Sequence, residues 1–404
     1  MDIARAALCL LLTLLPAVHA AAAPPTAQAR VAFDRGGITG TRVAGMADVA
    51  AGRALGPDDP VRVASISKLV VAIGVMRMVE DGQLDLDADL SPLLGWPLRH
   101  PAFPDTPITL RLLLSHRSAL TDAAGYWEVP IDGDLREVLA DPRAWDMAHA
   151  PGTWFRYANL NFPLVAAAME RASGERFDLL MRRLVLQPLD IAGCFNWDAC
   201  DDTTVARAVV LYRDGVAIRD DLHGRRPDCA VIPARDGRCD LRLWQAGRAG
   251  ATFAPQGGLR ISAHGLARIG RMLLGGGELD GVRILHAGSV RTLLQPLWTR
   301  TPDNAARDGE GGMTARGAFM CRYGLASQTL ATPAPGCGDD PFGDGRPRVG
   351  HAGDAYGLLS GLWLDLDAGT GVAYFATGVV AGPSGAHSAF SAVEEALARG
   401  ESIP

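Results

Sequence analysis

Residues 69–79 read Leu-Val-Val-Ala-Ile-Gly-Val-Met-Arg-Met-Val, which on a helix is apolar around nearly the whole circumference. Such a helix has no face to offer water, so other elements must enclose it. At 404 residues, 48% of them hydrophobic, the chain can supply one large core or two moderate ones. Gly82 supplies the stop signal. Ser65 and Lys68 stand at the entrance of this buried helix, three residues apart and therefore on one face. Lys68 is the only lysine in the chain; the other 38 basic residues are arginine. Arginine keeps its proton under ordinary conditions, whereas a lysine withdrawn from water can release it. At the usual pKa of about 10.4, roughly one lysine in 2,500 is neutral at pH 7, and bringing that value near neutrality corresponds to about 4 kcal/mol. A surface lysine beside a helix cap would give the same Ser-x-x-Lys letters, but the apolar run behind it argues for burial. The pattern points to proton transfer involving the Ser65 hydroxyl.

The net charge of −6 and the lack of a basic stripe argue against a nucleic-acid partner. The first 23 residues have the form of a secretory signal: Arg5, a short leucine-rich stretch from Ala6 to Val18, then small residues to Ala23. That stretch is too short to span a bilayer comfortably, and no later run of about 18 apolar residues exists. The expectation is an exported protein, periplasmic or secreted, with no stable membrane anchor after cleavage. Cleavage would remove Cys9 and leave Cys194, Cys200, Cys229, Cys239, Cys321 and Cys337. An even count in an exported chain favours disulfides, and closeness in sequence suggests 194 with 200, 229 with 239 and 321 with 337. No C-x-x-C or suitably spaced histidine accompanies them, so no metal is expected, and no other cofactor either.

Short β-like runs over 30–62 precede the buried helix. Residues 83–245 look mainly helical, with apolar spacing at 111–114, 164–172 and 177–186. Residues 201–250, rich in Asp and Arg, read as a surface excursion. A helix is predicted over 262–274, strands over 356–366 and 371–377 joined at Asp367-Ala368-Gly369-Thr370, and a last helix over 388–398. Strands at both ends imply an α/β (α+β) fold whose sheet is assembled from both termini. The expected parts are a discontinuous sheet domain over 30–90 and 250–400 and a mainly helical domain over 91–249, with the site in the cleft between them.

Two more motifs follow in order: Tyr157-Ala158-Asn159 and His351-Ala352-Gly353. Singly, a loop tyrosine or a histidine at a strand start is more often structural than catalytic. With Ser65 and Lys68, and with Gly82-Gln83-Leu84-Asp85-Leu86, Leu112-Leu113-Leu114-Ser115-His116-Arg117-Ser118 and Gln256-Gly257-Gly258-Leu259, they form a pattern. Over about residues 31–400 the chain resembles the serine hydrolases of the class C β-lactamase and penicillin-binding-protein-like family. The resemblance implies a β-lactamase/transpeptidase-like fold: an antiparallel sheet flanked by helices, with an inserted helical domain. It implies Ser65 as nucleophile, Lys68 as proton relay, and Tyr157, near two cations, as general base and later acid. Asn159 would orient Lys68 and the substrate, His351 would take the place of the lysine of a K-T-G box, and Gly353 would complete the H-x-G box. The N–H groups of Ser65 and Asp354 would form the oxyanion hole.

Two departures bear on substrate. Ala352 lacks the hydroxyl a K-T-G threonine offers to a β-lactam carboxylate, and His351 is a weaker, pH-dependent cation. Both favour esterase-like or peptidase-like relatives. Ala119 stands where the family usually has glycine. The leading expectation is a hydrolase of small-molecule esters, amides or peptides through an acyl-serine. A β-lactamase or D,D-peptidase is the second, and a non-turnover binding protein the third. No G-x-S-x-G elbow supports an α/β-hydrolase, and no H-E-x-x-H supports a metalloenzyme. A Ser-His-Asp triad is assembled in space, so spacing does not decide on it.

Overall fold

The computed structural model describes residues 24–309, 312–379 and 385–402. The expected signal segment over 1–23, with Cys9, lies outside them. Strand β1 (Ala27–Asp34) alternates buried and half-buried residues, as a strand between two layers should. It pairs with β2 (Ile38–Asp48) on one side and with β9 (Thr370–Thr377) on the other, so the two ends of the chain meet inside one sheet. β3 is Arg53–Ala54. The C-terminal half adds β4 (Trp298–Thr299), β5 (Arg322–Tyr323), β6 (Gln328–Thr329), β7 (Val349–Ala355) and β8 (Leu358–Asp365). The nine strands run in the order β4-β5-β6-β7-β8-β9-β1-β2-β3, each pairing antiparallel.

Alternate residues of β8 serve different layers. Leu362 and Leu364 join the main core, whereas Trp363 joins a smaller cluster with Phe390 and Leu397. Helix α3 (Ala263–Leu274), capped by the Ser262 hydroxyl, packs on β1 and β9. Gly270 permits this contact: a Cβ there would lie 2.3 Å from the Phe33 ring. Helix α4 (Ala392–Arg399) begins with a capping box between Ser391 and Glu394 and covers the opposite face.

Helix α1 (Ile66–Glu80) is buried on every side, as its sequence requires. Gly74 brings it against Met181, which would lie 2.7 Å from an added Cβ. Helix α2 (Asn161–Ser173) ends at Gly174 in the left-handed conformation that glycine tolerates. A single apolar cluster runs through α1, α2, the 177–189 segment and the sheet. Ala119 has φ +63°, a conformation that favours glycine, so the alanine sits there under backbone strain.

The 201–250 region is not wholly a surface excursion: Val209 and Leu211 enter the core, and Asp220 is buried. Asp220 accepts from Arg260 Nη2 at 2.8 Å and from Trp197 Nε1 at 3.0 Å. Paired with arginine, the carboxylate is tolerated inside, so Asp-rich composition here conceals an interior segment. The three cysteine pairs are joined as expected: 194 with 200, 229 with 239 and 321 with 337.

Candidate active site

A serine at the start of a helix ordinarily spends its hydroxyl on the first-turn N–H groups. Ser65 occupies the cap position of α1 but makes no such bond. Its Oγ instead accepts from Lys68 Nζ at 2.9 Å. The residue before it, Ala64, has φ +48°, which turns the chain sharply from the short strand Val61–Arg62 into the helix. Lys68 is 0% exposed. Its ammonium also donates to the Gln256 carbonyl at 2.7 Å and lies 5.0 Å from the centre of the Tyr157 ring and 5.4 Å from that of Phe162. The Gln256-Gly257-Gly258-Leu259 segment is held there because Leu259 N–H donates to Ser67 Oγ and Val63 N–H to Leu259 O.

The loop carrying Tyr157 is fixed from two sides. Asp122 accepts from Asn159 N and Leu160 N, each at 2.8 Å, and from Asn159 Nδ2 at 3.2 Å. His116 Nδ1 accepts from Ala158 N at 3.2 Å and from Asn161 Nδ2 at 3.1 Å, so its proton is on Nε2. The His116 ring lies against Tyr157 with centroids 4.1 Å apart. Burial, and then the charge of Lys68, hold the His116 pKa well below the usual imidazole range.

On β7, His351 and Gly353 face α1, while Ala352 faces the Trp363–Phe390 cluster on the other side of the sheet. A Cβ at Gly353 would meet Ser360 Oγ at 2.4 Å, Val63 O at 2.5 Å and Ser65 N at 3.1 Å, so only glycine lets the strand approach the serine this closely. The ladder between β6 and β7 covers Val349 and Gly350 only. Just before it, the Arg348 carbonyl accepts from Leu330 N–H on the β6 side. Backbone groups of alternate residues point the same way, so those of Ala352 and Asp354 point past the end of that ladder, beside Ser65. The Asp354 side chain is exposed.

His351 differs from expectation. It is 0% exposed, and burial followed by the Lys68 charge pulls its pKa down to about 3. It is a neutral ring, not a pH-dependent cation. Nor does Ala352 bear on the cleft through its side chain, since that points into the opposite layer. Sequence reasoning brought Ser65, Lys68, Tyr157, His351 and Gly353 together. It missed Gln256 as an acceptor for Lys68, Asp122 and Asn161 as braces of the tyrosine loop, and Tyr323, whose hydroxyl is 2.8 Å from His351 Nε2. His116 stood in a quoted motif, but nothing in the sequence told of its contact with Tyr157. Among the described residues no group of three or more His, Cys, Asp or Glu could hold a metal ion. None of the described helices is long and apolar enough to cross a membrane.

A sequence profile of the beta-lactamase family matches residues 26–396. The chain is 30% identical to esterase EstB of Burkholderia gladioli over 338 residues, covering 77% of this chain and 75% of that one. It is 32% identical to the D-alanyl-D-alanine-carboxypeptidase/endopeptidase AmpH of Escherichia coli K12 over 141 residues, 33% of this chain and 35% of that protein. In fold it is similar to the octameric penicillin-binding protein homologue of Pyrococcus abyssi, with TM-score 0.61, 19% identity and coverage of 94% and 74% of the two chains. The D-amino acid amidase of Ochrobactrum anthropi SV3 complexed with L-phenylalanine gives TM-score 0.61 at 18% identity over 93% of each chain. This chain belongs to the beta-lactamase family and is a serine hydrolase of the esterase- and penicillin-binding-protein-like kind.

Proposed function

We propose that the protein is an exported enzyme that cleaves esters or amides of small molecules through an acyl-serine intermediate. The observation that carries this reading is a lysine ammonium withdrawn from water and placed 2.9 Å from Ser65 Oγ, with the Tyr157 ring beside it. In the reaction, the Ser65 proton passes to the Tyr157–Lys68 pair as Oγ bonds to the carbonyl carbon. The carbonyl oxygen becomes an oxyanion received by the N–H groups of Ser65 and Asp354. The tetrahedral intermediate collapses, its bond to the leaving atom breaks, and the pair returns the proton to that atom. Water then attacks the acyl-serine with the same pair as base, releasing acid and free Ser65. Asn159, braced by Asp122, would orient the substrate, and Gly353 keeps the strand close enough for the oxyanion site. In the same reading the sheet part spans 30–90 and 250–400, and the helical part spans 91–249.

Three disulfides fit an oxidising compartment, which supports the periplasm or the exterior as the place of work. A fluorophosphonate should add one label to the native protein by intact mass and none to Ser65→Ala; a Ser65→Ala variant still labelled and active would overturn the assignment. A second reading, a D,D-peptidase or β-lactamase, is favoured by the similarity to AmpH over a third of the chain. Turnover of a D-Ala-D-Ala peptide or nitrocefin faster than 4-nitrophenyl acetate would establish it over the esterase reading.

A further inference from the structure

Strand β7 passes the serine with His351 beside Tyr157, their rings 6.2 Å apart, and with Gly353 against Ser65. With Tyr157 protonating the departing atom, the leaving group lies at the His351 end, and the acyl chain runs the other way, toward Ala355 and Tyr356. There β7 and β8 turn at Tyr356-Gly357, and a second hairpin, Leu211–Arg213 with Val216–Arg219, packs on the turn. The two are in close contact: a Cβ at Gly357 would lie 2.2 Å from the Tyr212 carbonyl oxygen. Arg62 approaches the same turn from the Ser65 side, three residues before the nucleophile, with Nε donating to Gly257 O at 3.0 Å. The residue before Gly257, Gln256, accepts from the lysine that holds Ser65 Oγ. Since consecutive residues are about 3.8 Å apart, this chain of contacts sets the Arg62 guanidinium on the order of 10 Å from Ser65 Oγ.

We propose that Arg62 and Arg219, both against the Tyr356 ring, form a carboxylate-binding subsite for the far end of the acyl group, which selects esters and amides of dicarboxylic acids whose second carboxyl is free. This deepens the acyl-serine reading above and rests on it.

Both guanidiniums lie over the Tyr356 ring, Arg219 at 4.6 Å and Arg62 at 5.3 Å from its centre, and Arg219 Nη2 donates to the Tyr356 hydroxyl at 3.2 Å. The ring thus holds two like charges near each other, and the protein supplies no anion to match them. Asp220 is taken, since its oxygens accept from Arg260 and Trp197. Asp221 pairs with His223. The Asp354 side chain lies on the other face of β7, where its charge acts on Glu394. Among the described residues neither Arg62 nor Arg219 has a carboxylate within ion-pair distance. The excess charge is felt locally. Burial, then the Arg260 charge, draws the Arg62 pKa down to about 10. Burial pushes the Tyr356 phenol up, but the Arg62 and Arg219 charges outweigh it and bring it below the usual phenol range. The donors are within reach of a ligand: Arg219 is exposed, Arg62 is half-buried, and the Arg62 Nη groups have no partner among the described residues and are not sealed from water. A guanidinium presents paired N–H groups that match the two oxygens of a carboxylate.

The test compares mono(4-nitrophenyl) hexanedioate with its methyl ester, each rate corrected for spontaneous hydrolysis. The two share a leaving group and a carbon chain and differ by one negative charge at the far end of the acyl group. Wild type should prefer the acid by about tenfold or more in kcat/KM, the effect of one charge-assisted hydrogen-bonded pair. Arg219→Gln and Arg62→Gln should each lower that preference at least about fivefold, chiefly through the KM of the acid. The preference is a ratio within one enzyme, so damage to the fold or to Ser65, which slows both esters alike, does not move it. Equal use of the two esters by wild type, or an unchanged preference in either variant, would overturn the inference. Calorimetry with hexanedioate separates the subsite from the chemistry. The native protein should bind the diacid, and Arg219→Gln should bind it at least about fivefold more weakly. That result beside no hydrolysis of either ester and no label on Ser65 would defeat the acyl-serine reading and leave the carboxylate site standing, whereas a native protein that does not bind the diacid would defeat the site.

Discussion

Lys68 occupies a place shaped for a narrow ammonium, between Ser65 Oγ, Gln256 O and the rings of Tyr157 and Phe162. Arginine would bring a broader, permanently charged group into a closed site. Lys68→Arg should therefore reduce ester turnover below about a tenth of wild type, at a packing cost of about 1–3 kcal/mol. Stopped-flow acylation and a urea denaturation curve measure the two effects; turnover above a tenth would contradict the assigned role. Gly353→Ala makes the matching test on the strand. The added methyl meets Ser360 Oγ and the Val63 carbonyl and lies 3.1 Å from Ser65 N, so β7 must retreat from the serine. Acylation should slow by about 100-fold, the usual cost of losing one oxyanion donor, and a rate within threefold of wild type would count against that strand. Ser65 and Lys68 were legible in sequence because both roles sit three residues apart on one helix. Tyr323 was not, since its partner lies 28 residues away and is reached only through sheet pairing.

Helix α2 is held at its C-terminal end by a buried carboxylate. Glu170 accepts from Phe177 N at 3.2 Å, Trp244 Nε1 at 2.9 Å and Gly247 N at 3.0 Å. Burial outweighs these donors and pushes its pKa up to about 7. Between about pH 4.5 and 7 the unfolded chain has lost this proton while the folded chain retains it, so Glu170 makes stability fall as pH rises. His116 and His351 act in the opposite sense: below about pH 6.5 the unfolded chain binds protons that the folded rings refuse, so stability falls as pH drops. Glu170→Gln should thus make stability climb more steeply with pH, by about 1.4 kcal/mol per pH unit between pH 5 and 6.5. Urea unfolding at those two pH values checks the sign, and an unchanged slope would show that Glu170 is ionised throughout. Long periodic elements such as α1, α2 and α3, and the β8–β9 hairpin, could be read from apolar spacing. The two-residue strands β4 to β6 could not, because they are too short to show a period and their partners are distant. Asp220 was misread for a related reason: a buried Asp–Arg pair has the same composition as a solvated surface.

Across the whole molecule, one apolar core joins the sheet to the helices, and three disulfides close small loops around it. Nearest-neighbour pairing of the cysteines was readable because each bridge spans 16 residues or fewer. Loops of that size stabilise by about 2–3 kcal/mol each in the chain-entropy account. Full reduction should lower the melting temperature by roughly 10 °C. Calorimetry with and without reductant measures this, and six titratable thiols in the native protein would dispose of the bridges. The single buried lysine has one more outcome at this scale. It carries the chain's entire complement of ε-amines, so amine-acylating reagents such as succinimidyl esters should find no side chain to modify in the native protein. On denaturation that site becomes available at once, and one added mass on a peptide containing Lys68 would serve as a stoichiometric counter of unfolded molecules.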